Sequence, residues 1–453
     1  MSLPAFAARR LLARGSTLLG GSSVALLASF LQTVLVARSL GPTSFGIWAG
    51  IQAFCTVVAT LLTFRTSEPV TRYLAEYQQR REAALATNPS GEDAYLVELL
   101  LGTAIATDAL TQIFAILVIG LSAPWAAPLL PGGEEVLALY PIMAIGLLRN
   151  LFDGTWFSVA RNLSRYRTIA TLNALFPTLR LSATTICWSL NVITLQRFVT
   201  LMTLLGIVQM AITGWYLWRA IHTDLCIKPT RLFSFNLLKR QRQLGSFWSF
   251  MKATFLWSLF SALVKEGDIL ILGGLRPAEE VGWYRLAKNL TSIVQQVGEM
   301  LAQVIYQDFS EQVVVRNGAA LRDTIRFLAK TWLPAVVAVS LISITLAYFA
   351  IPLIFGGSYQ ATFGVFSILM IGTGCVTALF WVRPLTLAFE LYWYNFQVVA
   401  WGSGLFLGAD WIFIHIWGVH GAALAFATLT TAGPLVMLPP VWGRLQQMSA
   451  PSS

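Results

Sequence analysis

VARSLGPTSFGIWAG, Val36 to Gly50, ends one apolar run, turns at Gly41-Pro42 and begins another through Phe45, Gly46 and Trp48. A second version, LGGLRPAEEVGWYR, runs from Leu272 to Arg285. Leu40, Pro42, Gly46 and Trp48 align with Leu275, Pro277, Gly282 and Tyr284, with one residue inserted in the second copy. Each copy joins the first and second long apolar runs of its half, so the chain reads as two similar halves end to end.

Composition sets the class. Apolar residues make up 56% of the chain and charged residues 11%, against roughly 25% charged in a soluble domain. Mean hydropathy is +0.67, and several apolar runs are long enough to cross a bilayer core. The expected fold class is all-α: a polytopic membrane protein of about 12 transmembrane helices in two similar halves. The spans are expected near 16–37, 46–66, 97–121, 136–158, 167–190, 196–218, 246–272, 281–304, 327–350, 360–382, 388–410 and 418–442. Residues 1–222 form the N-terminal bundle in this reading, 223–245 a basic cytoplasmic linker, and 246–453 the C-terminal bundle. The only breaker between the tenth and eleventh spans is Arg383-Pro384. The Arg9-Arg10 pair could suggest a twin-arginine signal, but the apolar run after it is too long for a signal core, so it reads as a retained first helix.

The net charge of +10 sits mostly in loops and reads as orientation, with no nucleic-acid partner. About 22 lysines and arginines fall on one side, including Arg72, Arg80, Arg161, Arg165, Lys239 and Arg326. The other side has Arg38, Arg197 and Arg276. The positive side faces the cytoplasm, which puts both termini there. Cys55, Cys187, Cys226 and Cys375 are scattered singly, and His222, His415 and His420 do not join them. No metal site and no cofactor is expected.

The chemistry lies in charges inside the spans: the cations Arg149, Arg180, Lys252, Lys265, Arg285 and Lys288, and the acids Asp108, Asp153, Asp268, Glu266 and Glu299. Each costs at least ~2.5–3.5 kcal/mol at a helix centre, so they should pair or face a watery cavity. Some have plain readings. Arg149 and Asp153 are spaced i,i+4, and Lys265 and Asp268 i,i+3, so each couple can pair on its own helix. Lys252 and Arg285 lie near span ends and can snorkel, and Glu299 can sit near the inner interface. Asp410, Trp411 and His415 read as a wet outer loop. Arg180 and Asp108 lie mid-span with no partner on their own helix, and a cavity role fits them best. Pro177, three residues before Arg180, removes a backbone donor and loosens that helix locally.

SLGPTSFGIWAG after the first span resembles the turn at that point in bacterial polysaccharide exporters, the oligosaccharide (O-antigen-type) flippases of the multidrug/oligosaccharidyl-lipid/polysaccharide (MOP) superfamily. GDILILGGLRPAEEVGWY, Gly267 to Tyr284, resembles the matching turn of their second half, where an acidic residue, here Asp268, commonly precedes the loop. WGVHGAALAFA, Trp417 to Ala427, resembles the Gly-Ala-Ala stretch opening their last helices. The second copy departs at Arg276, where the first has Gly41, and many relatives have fourteen helices.

The resemblance implies a V-shaped molecule of the bacterial inner membrane, with two pseudo-symmetric six-helix bundles around a central cavity. It would flip a polyprenyl-diphosphate-linked oligosaccharide from the cytoplasmic to the outer leaflet by alternating access. It also implies a monomer in the lipid bilayer, with room for a polysaccharide polymerase and glycosyltransferases as partners. The expected cargo contacts are Arg149, Arg180, Lys265, Arg285 and Lys288, since a diphosphate needs cations and arginine can hold it bidentately. Asp108, Asp153, Asp268 and Glu299 are the expected counter-charges or ion-coupling groups. Two other readings remain open. A cation-coupled multidrug antiporter of the same superfamily could use Asp108, Asp268 and Glu299. A membrane glycosyltransferase or polysaccharide polymerase would need a sizeable outer loop carrying catalytic groups, and no such constellation appears, so an enzyme is not expected.

Overall fold

The computed structural model describes residues 5–64, 66–87, 96–227, 232, 244–315 and 318–448. Every regular element among them is helical. α1 (Ala5–Leu62) holds two helical arms that part at Gly41, where φ is 71° and ψ 171°. Nothing lies within 4 Å of a side chain added there, so the position needs glycine for its backbone conformation and not for space. Pro42 then opens the second arm with the φ a helix start requires. α2 (Ser67–Thr87) follows a short break, and α3 (Leu96–Ala126) is continuous. The fourth expected span is interrupted: α4 (Leu139–Gly146), a 3₁₀ turn (Leu147–Asn150) and α5 (Asp153–Asn162). α6 (Tyr166–Ser189) and α7 (Leu195–Arg219) complete the first half. The second half carries α8 (Gly245–Leu275), α9 (Ala278–Val314), α10 (Gly318–Phe355), α11 (Thr362–Ala378), α12 (Val382–Ala388), α13 (Tyr392–Trp417) and α14 (Val419–Gln447).

Seven stretches among the described residues are long and apolar enough to cross a membrane, and one of them, Gly20–Arg80, contains the Gly41 break. Adding the interrupted fourth span and the charge-bearing α6, α8 and α9 brings the number of passes to about twelve. Arg383-Pro384 does not separate the tenth and eleventh spans. Pro384 sits in the first turn of α12, where its missing amide hydrogen has no acceptor to lose. The chain breaks instead at Leu379–Trp381 and at Glu390, whose φ is +60°. α10 shows the solvent it is built for: Leu333, Val337, Leu341, Ile342, Leu346, Phe349 and Leu353 are all exposed, a surface stable only against lipid.

The residues group into two compact units. Unit 1 comprises Met1–Val36, Phe54–Pro128 and Gly133–Leu259. Its core gathers Val70 and Leu74 of α2, Leu99–Leu101 of α3, Trp156 and Val159 of α5, Leu217 of α7 and Phe247 and Met251 of α8. Leu225, Ile227 and Leu232, from the expected basic linker, are buried in that core. The linker residues 228–231 and 233–243, with most of its lysines and arginines, lie outside the described residues.

Unit 2 comprises Ala37–Ala53, Leu129–Gly132 and Phe260–Ser453. Here the three stretches that carry the family resemblance pack on one another. A methyl carbon added at Gly46 would collide with the Ala278 carbonyl oxygen, and one at Gly282 with the Pro42 carbonyl oxygen. The two aligned glycines thus serve one close crossing of the two turns. Thr43 Oγ1 donates to Glu279 Oε1 at 3.1 Å. Glu280 accepts two hydrogen bonds from Arg276, at 2.9 and 2.8 Å, and a third from the Val419 amide at 3.1 Å. Its carboxylate raises the pKa of Arg276, which keeps the turn's guanidinium fork charged. Gly418, with φ +59°, lies under that guanidinium, 2.9 Å from Arg276 Nη2 to the place a Cβ would take.

Candidate functional site

Unit 1 contains a cavity of about 290 Å³ where two interrupted spans meet. Ser67, at the start of α2, and Asp153 and Gly154, at the start of α5, form one wall. Trp156 and Phe157 of α5, Ile169, Leu172, Asn173 and Phe176 of α6, and Gln209 and Thr213 of α7 complete it. The breaks are what give it polarity: a helix start leaves amide hydrogens without intrahelical acceptors, and such backbone is tolerated at membrane depth only where it lines protein or a cavity. Pro177 adds to this. It has no amide hydrogen for the carbonyl four residues before it, which belongs to Asn173.

Arg180 lies one turn beyond Phe176 on α6 and donates from Nη2 to Gln209 Oε1 on the cavity wall. Arg149 sits in the 3₁₀ turn beside α7, where its Cβ would lie 3.6 Å from a side-chain carbon at Gly206. Asp153 is within electrostatic reach of both guanidiniums. Among the described residues no ion pair within 4 Å joins Asp153 to Arg149 or Arg180. The i,i+4 pairing expected for Arg149 and Asp153 on one helix face does not form, because the turn at Leu147–Phe152 puts them on different helical segments.

Asp108 stands behind this wall on α3. Thr66 and Thr155 each donate a hydroxyl hydrogen to it at 2.7 Å, one to each carboxylate oxygen. Ser158 and Asn162 tie α5 to the α2 backbone, donating to the Ser67 and Thr71 carbonyls. The partners sequence spacing could not supply thus come from the break before α2 and from α5. Thr155→Val removes one of the two hydroxyl donors to a buried carboxylate, and should lower stability by about 1–3 kcal/mol. The check is the thermal unfolding midpoint in detergent, and an unchanged midpoint would show that Asp108 does not depend on that hydroxyl.

Unit 2 holds the other group of expected residues. Asp268 of α8 is fully buried. It accepts from Tyr284 OH at 2.6 Å and pairs with the Lys288 ammonium. Lys288 also donates to the Lys265 carbonyl at 2.6 Å. Asp268 therefore pairs with a lysine of the next helix and not with Lys265 at i,i+3. Arg285 does not snorkel: its Nη1 meets Glu266 Oε2 at 2.8 Å, with the two side chains 12% and 18% exposed. Lys265 is exposed, as is Glu299, which accepts from Gln295 at 3.3 Å and lies within electrostatic reach of Arg383. Asp410 is not in a wet loop. Seven helical residues follow it in α13, and it is fully buried.

Sequence reasoning did not single out Asn173, Gln209, Thr213, Trp156, Phe157 or Phe176. The available signal was an amide or hydroxyl one or two turns from an aromatic inside an apolar span. Gly146 and Gly154, which bracket the charged Arg149–Asp153 segment, were the signal for the interrupted span.

A family model described as polysaccharide biosynthesis protein matches residues 11–311. No curated protein matches significantly. Among solved structures, a multidrug resistance MATE-family transporter of the MOP superfamily in an inward-facing conformation superposes with a TM-score of 0.61 at 14% identity, over 96% of this chain and 100% of that one. A MOP-superfamily transporter from Pyrococcus furiosus, described by the reverse polarity of its binding pocket, gives 0.60 at 11% identity, over 96% and 95%. A Vibrio cholerae MATE transporter in its bent form gives 0.54 at 12%, over 96% and 98%. At these identities the likeness establishes the fold, and the family match covers well over half the chain. The chain therefore belongs to the polysaccharide biosynthesis protein family and is a multi-pass membrane protein with the fold of these MOP-superfamily transporters.

Proposed function

We propose that the chain is a flippase for a polyprenyl-diphosphate-linked oligosaccharide, moving it from the cytoplasmic to the outer leaflet of a bacterial inner membrane by alternating access. The observation that carries this reading is the unit 1 cavity: Trp156, Phe157 and Phe176 alternate with Asp153, Asn173, Gln209 and Thr213, beside Arg180. Aromatic faces next to amides and hydroxyls suit sugar rings, whose faces are apolar and whose rims are polar. Guanidiniums without a direct carboxylate partner suit a diphosphate. The volume lies just below the ~300–1,000 Å³ of drug-sized pockets, so the cavity holds one portion of the cargo, and the polyprenyl chain stays in lipid. Arg149 and Arg180 are the cations we assign to the diphosphate. Arg285 and Lys288 would have to exchange Glu266 and Asp268 for cargo, and exposed Lys265 is free to add attraction. Both termini face the cytoplasm in this reading, following the positive loops.

The buried acids Asp108 and Asp268 favour the second reading, a cation-coupled multidrug antiporter, because an organic cation needs buried negative charge. The two separate in proteoliposomes supplied with both a fluorescent polyprenyl-diphosphate oligosaccharide and an organic cation. Translocation of the glycolipid, with little cation flux, is the expected result. Cation flux without glycolipid translocation would reverse the assignment.

A further inference from the structure

Among the described residues Asp410 has no hydrogen-bond donor for either carboxylate oxygen, and the residue is 0% exposed. Its surroundings are well defined. Four helices of unit 2 meet there. Gly267 of α8, the residue before Asp268, would place a Cβ 2.9 Å from Leu407 Cδ2 of α13, one turn before Asp410. Lys288 of α9 lies 4.8 Å from the Phe426 ring of α14 and 5.7 Å from the Tyr284 ring. Phe426 packs edge-on against Phe406 of α13, with ring centroids 6.3 Å apart.

Besides Asp410, the titratable and charged groups on these four helices are Lys252, Lys265, Glu266 and Asp268 of α8, Glu279, Glu280, Tyr284, Arg285, Lys288, Glu299, Tyr306, Asp308 and Glu311 of α9, Tyr392, Tyr394 and His415 of α13, and His420 and Arg444 of α14. Asp268 and Lys288 act on Asp410 electrostatically, and Asp410 acts on Tyr284. Tyr284 already gives its hydrogen to Asp268, and Arg285 is engaged by Glu266. Two buried carboxyl groups therefore face one ammonium. A second ionised carboxylate with no donor would carry a large desolvation cost, whereas a neutral acid carries far less.

We propose that Asp410 and Asp268 share one exchangeable proton, with the Lys288 ammonium as their common counter-charge. In the arrangement seen, Asp268 is the carboxylate paired with Lys288, and Asp410 holds the proton as a carboxylic acid. When the proton leaves to water, the Asp410 O–H bond breaks, its electron pair stays on oxygen, and the new carboxylate competes for Lys288. When Asp268 takes up a proton instead, an O–H bond forms there and Lys288 passes to Asp410. The three side chains are neutral together with the proton bound and carry one negative charge without it. The site stands independently of which cargo the transporter carries.

The test is a pH titration of the purified full-length protein by infrared spectroscopy, following the carbonyl stretch of protonated carboxylic acids, in wild type, Asp410→Asn and Lys288→Gln. Asparagine copies the shape of the neutral acid, so Asp410→Asn should keep the wild-type unfolding midpoint and lose one protonated-acid band at neutral pH. Lys288→Gln removes the counter-charge, so that band should persist to a pH higher by roughly one unit or more. A spectrum of Asp410→Asn identical to wild type at neutral pH would overturn the proposal. So would a band in Lys288→Gln that titrates as in wild type, a reading that survives even if Asp410→Asn fails to fold.

Discussion

Arg180→Ala is expected to abolish glycolipid translocation in proteoliposomes while the protein still inserts and unfolds near the wild-type temperature. The guanidinium is held by Gln209 on the cavity wall and senses Arg149 and Asp153 without a direct ion pair. Its fold-stabilising contacts are therefore few, and its charge is available to an anion. Truncating one partner of a buried, hydrogen-bonded charge pair costs about 2–5 kcal/mol, on the order of 10²-fold or more in affinity. Arg180→Lys should recover part of the activity, because lysine keeps the charge but loses the planar fork that grips two phosphate oxygens. Full translocation in the alanine variant would make Arg180 a structural residue.

Gly46→Val and Gly282→Val should each prevent unit 2 from forming. At both positions the first side-chain carbon would overlap a backbone carbonyl oxygen, of Ala278 and Pro42 respectively. Backbone cannot rotate away as a side chain can, so the two turns must separate, and with them the Thr43–Glu279 bond. The cost should reach or exceed the upper end of the ~1–3 kcal/mol typical of overpacking. The measurement is the yield of monodisperse protein and its unfolding midpoint, with Gly404→Ala as control, since nothing lies within 4 Å of that site. Wild-type behaviour of both valine variants would show that the crossing is looser than described.

These two predictions mark what the chain discloses to reading and what it withholds. The passes were legible because lipid imposes a long apolar run on each. The repeated turns were legible because their glycines and prolines meet a shared backbone requirement at one crossing. The interruption of the fourth span was fainter, since Leu147–Phe152 itself contains no glycine or proline and its signal is confined to the flanking Gly146 and Gly154. Partners from distant helices were also hidden. Spacing suggested Asp153 for Arg149 and Lys265 for Asp268, yet Asp268 takes Lys288, and Arg149 has no direct ion pair among the described residues. Asp108 illustrates the limit, because two hydroxyls 42 and 47 residues away in sequence satisfy it. Asp410 was misplaced for a different reason. Trp411 and His415 beside it look like a span end, but the helix continues to Trp417 and carries the acid inside.

The central claim is that the unit 1 cavity takes the diphosphate end of a lipid-linked glycan. Native mass spectrometry of the detergent-solubilised protein, offered a polyprenyl-diphosphate oligosaccharide, tests it most directly. Wild type should retain the glycolipid, Arg180→Ala should lose it, and Arg180→Lys should fall between. Equal retention by wild type and Arg180→Ala would contradict the account.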